Sequence, residues 1–401
     1  MKYFFVLGTN TALSVAELAA SLNWKEPRLL AADFLTAEVD LEIKADNLIK
    51  RLGGLVKIGR VATEVESGDA ARLRAEVELL AGVKQAKNTG HKFNFGLSDY
   101  GHRVFDKKDL GLKLKKYFQE RGTSSRFVVS REKTLSSVVV TQNKLIGRGM
   151  EIVLAEDAEK GKAGTGKILI GETLAVQPFK DLSRRDFGRP ARDDLSGMLP
   201  PKLAQIMINL AQINDVNAVI IDPFCGSGTV LTEAALLGYK NLFGSDISLK
   251  AIEDTRKNLS WTRELYGIND CKIKLAVKNA VDLSKFIKAG YADVIITEPF
   301  LGPQRGMINF NSVMNNLEEL YSRALREFWK VLKTGGRVVM IWPLFYGQRP
   351  IAPSYEGFKI LDMVPEELRN SRFIKKNNRP TIIYGRPGQK VYREVVVLEK
   401  M

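Results

Sequence analysis

Apolar and polar positions alternate along the first 65 residues with two periods, one typical of strands and one typical of helices. Apolar residues dominate positions 3–7, 34–41 and 55–65, which predicts three strands. Between them, apolar residues at helical spacing predict helices over 13–22 and 45–52. We interpret residues 1–65 as an alternating α+β or α/β region.

The alternation continues to residue 180 with more polar helices. The helix predicted over 107–120 carries Leu110, Leu114, Tyr117 and Phe118 on one face. Another helix is predicted over 70–81. Strands are predicted over 93–97, 126–130, 137–141, 151–154 and 168–175.

Residues 181–195 are polar and charged, and they are interrupted by Gly188 and Pro190. Such composition is typical of a linker between domains. We therefore expect a domain boundary at 180–195.

The second half of the chain alternates short apolar strands with helices. The stretch 217–221, which is apolar from Ala218 onward, suits the centre of a parallel sheet. Helices are predicted over 201–211 and 317–332. Further strands are predicted over 242–245, 272–277, 293–297 and 337–342, with edge strands over 381–384 and 391–398. This half therefore predicts an α/β fold, a mostly parallel doubly wound sheet with right-handed crossovers.

Charge adds a constraint on partners. The chain has 401 residues, with 61 Lys and Arg against 46 Asp and Glu, a formal net charge of +15. Residues 101–150 alone contain twelve basic and four acidic residues. An excess of this size favours a polyanionic partner, and RNA, DNA and an acidic membrane surface are all compatible with it.

Two cysteines and two histidines are too few for a disulfide framework or a repeated zinc-ligand pattern, so no metal is expected. The N-terminal apolar run is far shorter than a membrane span. We therefore expect a cytoplasmic protein without a membrane partner.

A glycine-rich turn follows the first strand of the second half. Residues 221–229 read Ile-Asp-Pro-Phe-Cys-Gly-Ser-Gly-Thr, and Gly226 and Gly228 allow a ligand to approach the backbone at a helix N-terminus. Leu231 stands where a dinucleotide motif has its third glycine, and no lysine stands where a phosphate-binding loop needs one. Asp246 ends the next strand, where a carboxylate can accept hydrogen bonds from ribose hydroxyls. The pattern predicts an adenosine ligand without a pyrophosphate.

A second motif ends the strand predicted over 293–297. Glu298, Pro299 and Phe300 follow it at the carboxyl edge of the sheet, where open α/β sheets bind their substrates. The Glu298 carboxylate and a fixed backbone carbonyl could both accept hydrogen bonds from an exocyclic amino group, while Phe300 stacks on the base that carries it. A strand that ends at a proline and is followed by a packed phenylalanine would show the same sequence without binding a substrate.

The two motifs together resemble those of class I S-adenosylmethionine-dependent methyltransferases that act on base amino groups. Residues 222–229 look like their cofactor motif, and residues 298–300 resemble their Asp/Asn-Pro-Pro-Tyr/Phe motif, in the same order along the chain. Residues 196–204, Ser-Gly-Met-Leu-Pro-Pro-Lys-Leu-Ala, are similar to the segment before the cofactor motif in the tRNA guanosine-10 N2-methyltransferases. In that family an N-terminal region with a THUMP domain precedes the catalytic domain, and residues 3–22 resemble the opening of that N-terminal region.

The resemblance implies a domain organisation and an activity. A Rossmann-like class I methyltransferase domain would cover 196–401, a linker 181–195, a THUMP-like RNA-binding domain 66–180, and a ferredoxin-like α+β region 1–65. The implied cofactor is S-adenosyl-L-methionine, and the implied substrate is the N2 amino group of a guanosine in tRNA, at position 10.

The resemblance also assigns cofactor-binding residues. Asp222, Phe224, Gly226 and Gly228 would hold the methionine end of the cofactor, and Asp246 would hold its ribose.

Two positions depart from the family pattern. Asn279 occupies the place of the acidic residue that usually faces the adenine amino group, and its amide oxygen can still accept that hydrogen bond. Glu298 replaces Asp or Asn, and its extra methylene can displace the carboxylate by about 1 Å, a misplacement that can cost on the order of 10²-fold in rate.

The implied catalytic residues are Glu298, Pro299 and Phe300. The lone pair of the guanine N2 is delocalised into the ring, so hydrogen bonds to Glu298 and to the Pro299 carbonyl would aim it at the methyl group while Phe300 stacks on the base. Such a base must leave its helix, so the remaining domain must hold the RNA. We expect a basic set to contact RNA phosphates: Arg103, Lys107, Lys108, Lys113, Lys115, Lys116, Arg121 and Arg126.

Two alternatives remain open at this point. A DNA adenine-N6 methyltransferase needs the same amino-group motif, although most of the positive charge here precedes the motifs. A non-catalytic RNA-binding protein could keep the fold and lose transfer through Glu298. The expected partner is tRNA, a small activator subunit is an open second partner, and the chain is otherwise expected to be a monomer.

Overall fold

The structure is a computed structural model that describes residues 1–87, 90–101, 106–158, 166–192, 198–303, 310–375 and 377–401. The chain divides into two compact units. The first unit comprises residues 1–11, 22–179 and 366–374, and the second comprises 12–21, 180–365 and 375–401. Helix α1 (Thr11–Ser21) lies almost wholly in the second unit although it follows the first strand of the first unit.

The first unit is built on an eight-stranded sheet in the order β2-β3-β1-β4-β8-β7-β5-β6. The strands are β1 Lys2–Leu7, β2 Trp24–Ala31, β3 Phe34–Val39, β4 Leu55–Glu66, β5 Phe93–Tyr100, β6 Ser125–Val128, β7 Met150–Ala158 and β8 Gly166–Val176. The helices are α2 Ala45–Arg51, α3 Ala70–Ala86, α4 Lys107–Glu120 and α5 Ser137–Gln142, and a short 3₁₀ turn spans Glu366–Leu368. Helices α3 and α4 bury Val77, Leu114 and Phe118 against Phe93 and Phe95 of the sheet.

The strand predicted over 137–141 is wrong, because these residues begin helix α5. The β-branched run from Val138 to Thr141 favours a strand locally. Ser136 precedes this run and accepts a hydrogen bond from the backbone N–H of Val139, which caps a helix. Ser137 and Val140 are buried while Val138 is exposed, which is helical rather than strand spacing. Tertiary packing of Val140 therefore overrides the β propensity.

Strand β2 was not predicted. Its sequence contains Pro27 and the charged residues Lys25 and Glu26, and Glu26 has a positive φ of 48°. Such a strand shows no apolar alternation, so its pairing with β3 depends on tertiary structure alone.

The segment predicted as an irregular linker contains a helix, α6 (Phe179–Phe187). Arg185 of this helix is buried and forms a two-point ion pair with Glu233, with N–O distances of 2.7 and 3.2 Å. The charges that suggested a solvated linker therefore include one that anchors the helix inside the second unit.

The second unit is built on a nine-stranded sheet whose main path is β11-β10-β9-β12-β13-β17-β15. The strands are β9 Val219–Asp222, β10 Asn241–Asp246, β11 Lys272–Val277, β12 Ala292–Thr297, β13 Leu332–Phe345, β14 Arg349–Pro350, β15 Phe358–Ile360, β16 Ile382–Tyr384 and β17 Val391–Lys400. Its helices after α6 are α7 Pro201–Leu210, α8 Thr229–Leu236, α9 Leu249–Tyr266 and α10 Phe310–Val331, and a 3₁₀ turn spans Ala280–Lys285.

Strands β9 to β13 are parallel to one another. Strand β17 runs antiparallel between β13 on one side and β15 and β16 on the other, so the prediction of an edge strand over 391–398 is wrong. The order reverses at β9, because the chain moves outward to β10 and β11 and then returns to the other side of β9 as β12. Open α/β sheets bind ligands at the carboxyl ends of strands beside such a reversal. The predicted parallel sheet is confirmed, and it places the two sequence motifs side by side. No helix in the described part of the chain is long and apolar enough to span a membrane.

Candidate functional site

A cavity of about 520 Å³ opens at the carboxyl ends of β9, β10 and β12. A volume of this size is typical of small-molecule and cofactor sites. Both sequence motifs contribute to its wall. The cavity is lined by Pro223, Phe224, Gly226, Asp246, Ile247, Ser248, Lys250, Ala251, Asp254, Asn279, Ala280, Glu298, Pro299, Phe300, Leu301 and Leu320.

The glycine turn between β9 and α8 is held by short contacts to α9 and β10. Gly226 has a φ of 51°, and a Cβ at this position would meet open space, so its backbone faces the cavity. Gly228 has a φ of 83° and caps α8, and a Cβ there would lie 2.8 Å from Thr255 Cγ2. The Thr255 hydroxyl donates to the Gly226 carbonyl at 2.7 Å. The turn is therefore rigid and exposes backbone to a ligand at a helix N-terminus.

Asp246 ends β10 and supports the same turn. Its Oδ2 accepts from the Gly226 N–H at 3.0 Å, and its Oδ1 accepts from the Ser248 N–H at 2.9 Å. Each carboxylate oxygen can accept a further hydrogen bond. The side chain is thus fixed at the cavity wall and can still accept from two ligand hydroxyls.

Asp222 ends β9 beneath the glycine turn and is 2% exposed. Its Oδ1 accepts from the Thr297 hydroxyl at 2.7 Å and from the Phe224 N–H at 3.3 Å. Burial raises the pKa of this carboxyl from 3.8 to about 7, against the two hydrogen bonds, which lower it. Thr297 belongs to the strand that carries the second motif, so this hydrogen bond joins the two motifs.

Asn279 lies just beyond β11, at the cavity wall. Its Oδ1 accepts from the Val281 N–H at 3.2 Å and so caps the 3₁₀ turn. The backbone N–H of the preceding Lys278 donates to the Asp246 carbonyl at 2.9 Å, which ties the two neighbouring strand ends together. The Asn279 amide retains hydrogen-bonding capacity toward the cavity.

Glu298 follows β12 and is held by a residue that the sequence analysis missed. Arg393 of β17 donates from Nε to Glu298 Oε1 at 2.6 Å, and the two side chains are only 16% and 12% exposed. Burial raises the pKa of the Glu298 carboxyl, and the Arg393 guanidinium acts in the opposite direction. Nothing in the sequence near Glu298 indicates this contact, because the two residues are 95 positions apart.

Pro299 and Phe300 complete the second motif. Pro299 is buried, whereas the Phe300 ring is 58% exposed at the cavity. The Phe300 carbonyl accepts from the hydroxyl of Tyr321, a fully buried residue of α10, at 2.9 Å. Tyr321 was also missed, and the available signal was a tyrosine on the apolar face of the predicted helix, which needs a hydrogen-bond partner when buried.

The basic residues predicted to contact RNA lie on or after α4, except Arg103, which is outside the described residues. Lys108, Lys115 and Arg126 are exposed. The others are exposed but have partners nearby: Lys113 pairs with Asp109 at 2.7 Å, Lys116 lies 3.9 Å from Glu120, and Arg121 stacks on the Tyr117 ring at 3.7 Å.

Lys107 is the exception on the helix itself. It is 9% exposed, and its ammonium donates to the carbonyls of Glu132 and Lys133 at 2.7 and 2.9 Å. A group committed to two backbone carbonyls is not presented to a phosphate, so the assignment of Lys107 as an RNA contact is corrected. The charge count could not show this, because Lys107 faces the neighbouring loop rather than solvent.

The geometry can be compared with known proteins. The family described as UPF0020, RMKL-like, methyltransferase domain, matches residues 189–344. The crystal structure of TrmN from Thermus thermophilus superposes with a TM-score of 0.54 over the whole of both chains, at 16% identity. The predicted class I methyltransferase fold is confirmed.

Curated relatives are more similar in sequence to this chain than the solved structure is. A tRNA (guanine(10)-N2)-dimethyltransferase from Pyrococcus abyssi is 30% identical over 188 residues, which are 47% of this chain and 50% of that protein. A probable tRNA (guanine(10)-N2)-dimethyltransferase from Methanothermococcus thermolithotrophicus is 33% identical over 141 residues, 34% of this chain and 77% of that protein. The match thus spans about half the length of the Pyrococcus relative.

Proposed function

We propose that this chain, which belongs to the family of the tRNA (guanine(10)-N2)-dimethyltransferases, methylates the N2 amino group of a guanosine in tRNA, at position 10. One observation supports this most directly. The cavity has the glycine turn and Asp246 on one wall, and Glu298, Pro299 and Phe300 on the other. A cofactor and a base amino group can therefore meet inside it.

The residues of the first wall fit S-adenosyl-L-methionine. The open backbone at Gly226 and the buried carboxyl of Asp222 suit the amino-acid end, and Phe224 lines the same wall. Asp246 can accept from both ribose hydroxyls, and Asn279 can meet the adenine amino group. When bound, the cofactor supplies an electrophilic methyl group on a sulfonium.

The residues of the second wall fit a purine amino group. Glu298 accepts one N2–H, the Pro299 carbonyl accepts the other, and Phe300 stacks on the ring. Two fixed acceptors turn the N2 lone pair out of conjugation and toward the cofactor wall. Because hydrogen bonds of this kind matter most when the amino group becomes nucleophilic, they raise kcat more than substrate affinity.

The first unit supplies a basic helix that suits RNA phosphates. Lys108, Lys115 and Arg126 are exposed, so they are the strongest candidates to contact phosphates, with Lys113, Lys116 and Arg121 after them. We assign the RNA contact to residues 66–180 as a THUMP-like domain after the α+β region 1–65. Replacing Lys108, Lys115 and Arg126 by glutamine should lower the slope of log affinity for tRNA against log salt by about one unit for each of these side chains that binds a phosphate. Replacing the exposed Lys272, Lys274 and Lys288 of the second unit is the matched control.

The proposal extends to partners and location. tRNA is the macromolecular partner, and the chain acts as a monomer unless a small activator subunit joins it. Light scattering of the purified chain measures its molar mass and so tests whether it is a monomer. The proposed location is the cytoplasm, which fits a tRNA substrate.

The activity is tested by incubating the full chain with labelled S-adenosyl-L-methionine and an unmodified tRNA transcript, followed by nucleoside mass spectrometry. We expect N2-methylguanosine or its dimethyl form, and none from a transcript with adenosine at position 10. Methyladenine formed in duplex DNA would favour the DNA adenine-N6 hypothesis instead. Cofactor and tRNA binding without transfer to any tRNA would indicate a non-catalytic RNA-binding protein.

A further inference from the structure

The acidic residue of the second motif is one methylene longer than the family pattern, and the structure contains a contact that compensates for this length. Arg393 reaches Glu298 from β17 and binds Oε1 through Nε at 2.6 Å. Its Nη2 donates to the Met198 carbonyl at 3.4 Å, in the segment that precedes α7. A guanidinium with two partners on separate segments is fixed in direction.

We propose that Arg393 is a positioning residue for base binding: it holds one carboxylate oxygen of Glu298, stabilises the negative charge of that carboxylate and leaves the other oxygen to accept from the base amino group. This inference rests on the proposed function. An arginine that binds through a single Nε–Oε1 contact leaves Oε2 outside the pair, so the second oxygen can turn toward the cavity that Glu298 lines.

The motif is tethered at both ends by elements distant in sequence. Arg393 holds Glu298, and the Tyr321 hydroxyl holds the Phe300 carbonyl at 2.9 Å. Pro299 between them restricts the backbone. With both ends fixed, the longer acid cannot sample the positions that its extra rotatable bond would otherwise allow, so the departure from Asp or Asn need not misplace the acceptor.

Burial disfavours the ionised form of Glu298 and raises its pKa, and the Arg393 guanidinium opposes this effect. Asp222 of β9 and Glu298 repel each other when both carboxyls are ionised, whereas Tyr321 of α10 is neutral because burial raises its pKa. Asp246 adds negative charge at the end of β10, and Lys250 of α9 is paired with Asp254 of the same helix. Among the described residues, Arg393 is the cation that binds Glu298.

The proposal predicts whether kcat rises or falls in Glu298→Asp, which the family pattern alone leaves open. Glu298→Asp restores a residue common in the family, but the shorter side chain draws the carboxylate away from Arg393. We therefore expect Glu298→Asp to lower kcat, by up to roughly 10²-fold for a displacement of about 1 Å. A higher kcat in Glu298→Asp would contradict the proposal.

The direct test is the titration of Glu298 in the full chain. Protein labelled with ¹³C at glutamate carboxyls gives a Glu298 signal that is identified by its loss in Glu298→Gln. In Arg393→Gln we expect the pKa of Glu298 to rise by about 1–3 units, because the opposite charge is lost while burial remains. Arg393→Lys should give a smaller rise, since it keeps the charge without the fixed geometry.

The second readout is kcat against pH at saturating cofactor and tRNA. The acidic limb of this profile should move to higher pH in Arg393→Gln by the same amount as the titration, with little change in the KM for either substrate. Arg337→Gln is the control, because Arg337 also pairs through Nε with a glutamate of β17, Glu399 at 3.0 Å, away from the cavity. It should leave both readouts unchanged.

Two results would overturn the proposal. One is an unchanged titration of Glu298 in Arg393→Gln, or in Arg393→Lys if the first variant does not fold. The other is a lower kcat with an unshifted acidic limb, which indicates a purely structural role. If no variant and no wild-type protein forms N2-methylguanosine, the proposed function fails, whereas the titration needs no turnover and still decides the role of Arg393.

Discussion

The two walls of the cavity are held in place by different kinds of contact. On the cofactor wall, the glycine turn is fixed by Thr255 and Asp246, which lie within about thirty positions of it, through backbone groups and short side chains. On the base wall, Glu298 is fixed by Arg393 from the last strand. One wall is therefore built by consecutive strand–helix units, and the other depends on β17, a strand that joins the sheet much later in the chain.

This difference determines how substitutions should separate the two walls. A local turn made of backbone tolerates few side chains but does not depend on a distant ion pair. A long side chain held by a distant arginine tolerates substitutions of uncharged neighbours. It loses its position, however, when the arginine is replaced or when the length of the side chain changes. Changes on the cofactor wall should thus alter affinity for the cofactor, and changes on the base wall should alter kcat.

The largest effect is expected on the base wall. Glu298→Ala removes an acceptor that acts when the amino group becomes nucleophilic, so kcat should fall by at least roughly 10²-fold while cofactor and tRNA affinities stay nearly unchanged. Single-turnover methylation and calorimetry of cofactor binding measure the two quantities. Glu399→Ala is the matched control, since Glu399 also pairs with an arginine but lies outside the cavity lining.

Wild-type turnover in Glu298→Ala would show that the Pro299 carbonyl and the Phe300 ring hold the base without the acid. A large loss of cofactor affinity in the same variant would instead show that the two walls are not independent. Either result would break the comparison between the walls.

The same difference explains what could be predicted from sequence. The glycine turn was predicted because its determinants, two glycines and a carboxylate at the next strand end, are local and keep a fixed spacing on a parallel sheet. Arg393 and Tyr321 were not predicted, since their contacts depend on how β17 and α10 pack on the sheet. Helix α5 was missed for a related reason, as the buried position of Val140 decides against a β-branched run.

On the cofactor wall, a backbone change should act on affinity alone. Gly228 has a φ of 83°, and a Cβ would lie 2.8 Å from Thr255 Cγ2, so Gly228→Ala must displace the turn. Strain of about 1–3 kcal/mol predicts a loss of cofactor affinity of roughly 5- to 150-fold. Calorimetry measures it, and kcat at saturating cofactor should change little.

Gly238→Ala controls for backbone strain without a clash. Gly238 has a φ of 92°, and a Cβ there meets nothing within 4 Å, outside the cavity lining. This variant should lose some stability and no cofactor affinity. Equal losses of affinity in both variants would mean that the effect comes from general destabilisation rather than from the turn.

The smallest effect concerns Asp222, where the two walls meet through the Thr297 hydroxyl at 2.7 Å. Its pKa is raised to about 7, so the empty site holds a proton there at mildly acidic pH. The ammonium of the methionine end favours the ionised carboxylate. Cofactor affinity should therefore rise as pH increases toward 7 and level off above it, with a limiting slope of roughly tenfold per pH unit.

Proton release measures this effect without turnover. Calorimetry at pH 6.5 in two buffers of different ionisation enthalpy should show that the wild-type chain releases a proton when the cofactor binds, whereas Asp222→Asn should release none and show a flat affinity profile. The native state holds this proton at pH values where the unfolded state, with a pKa near 3.8, has lost it. Asp222 should accordingly contribute a fall in the stability of the ligand-free protein as pH rises from about 4 to 7, and Asp222→Asn should remove this contribution. If wild type and Asp222→Asn release protons equally, Asp222 does not face the charged end of the cofactor, and the division between the two walls must be redrawn around another group.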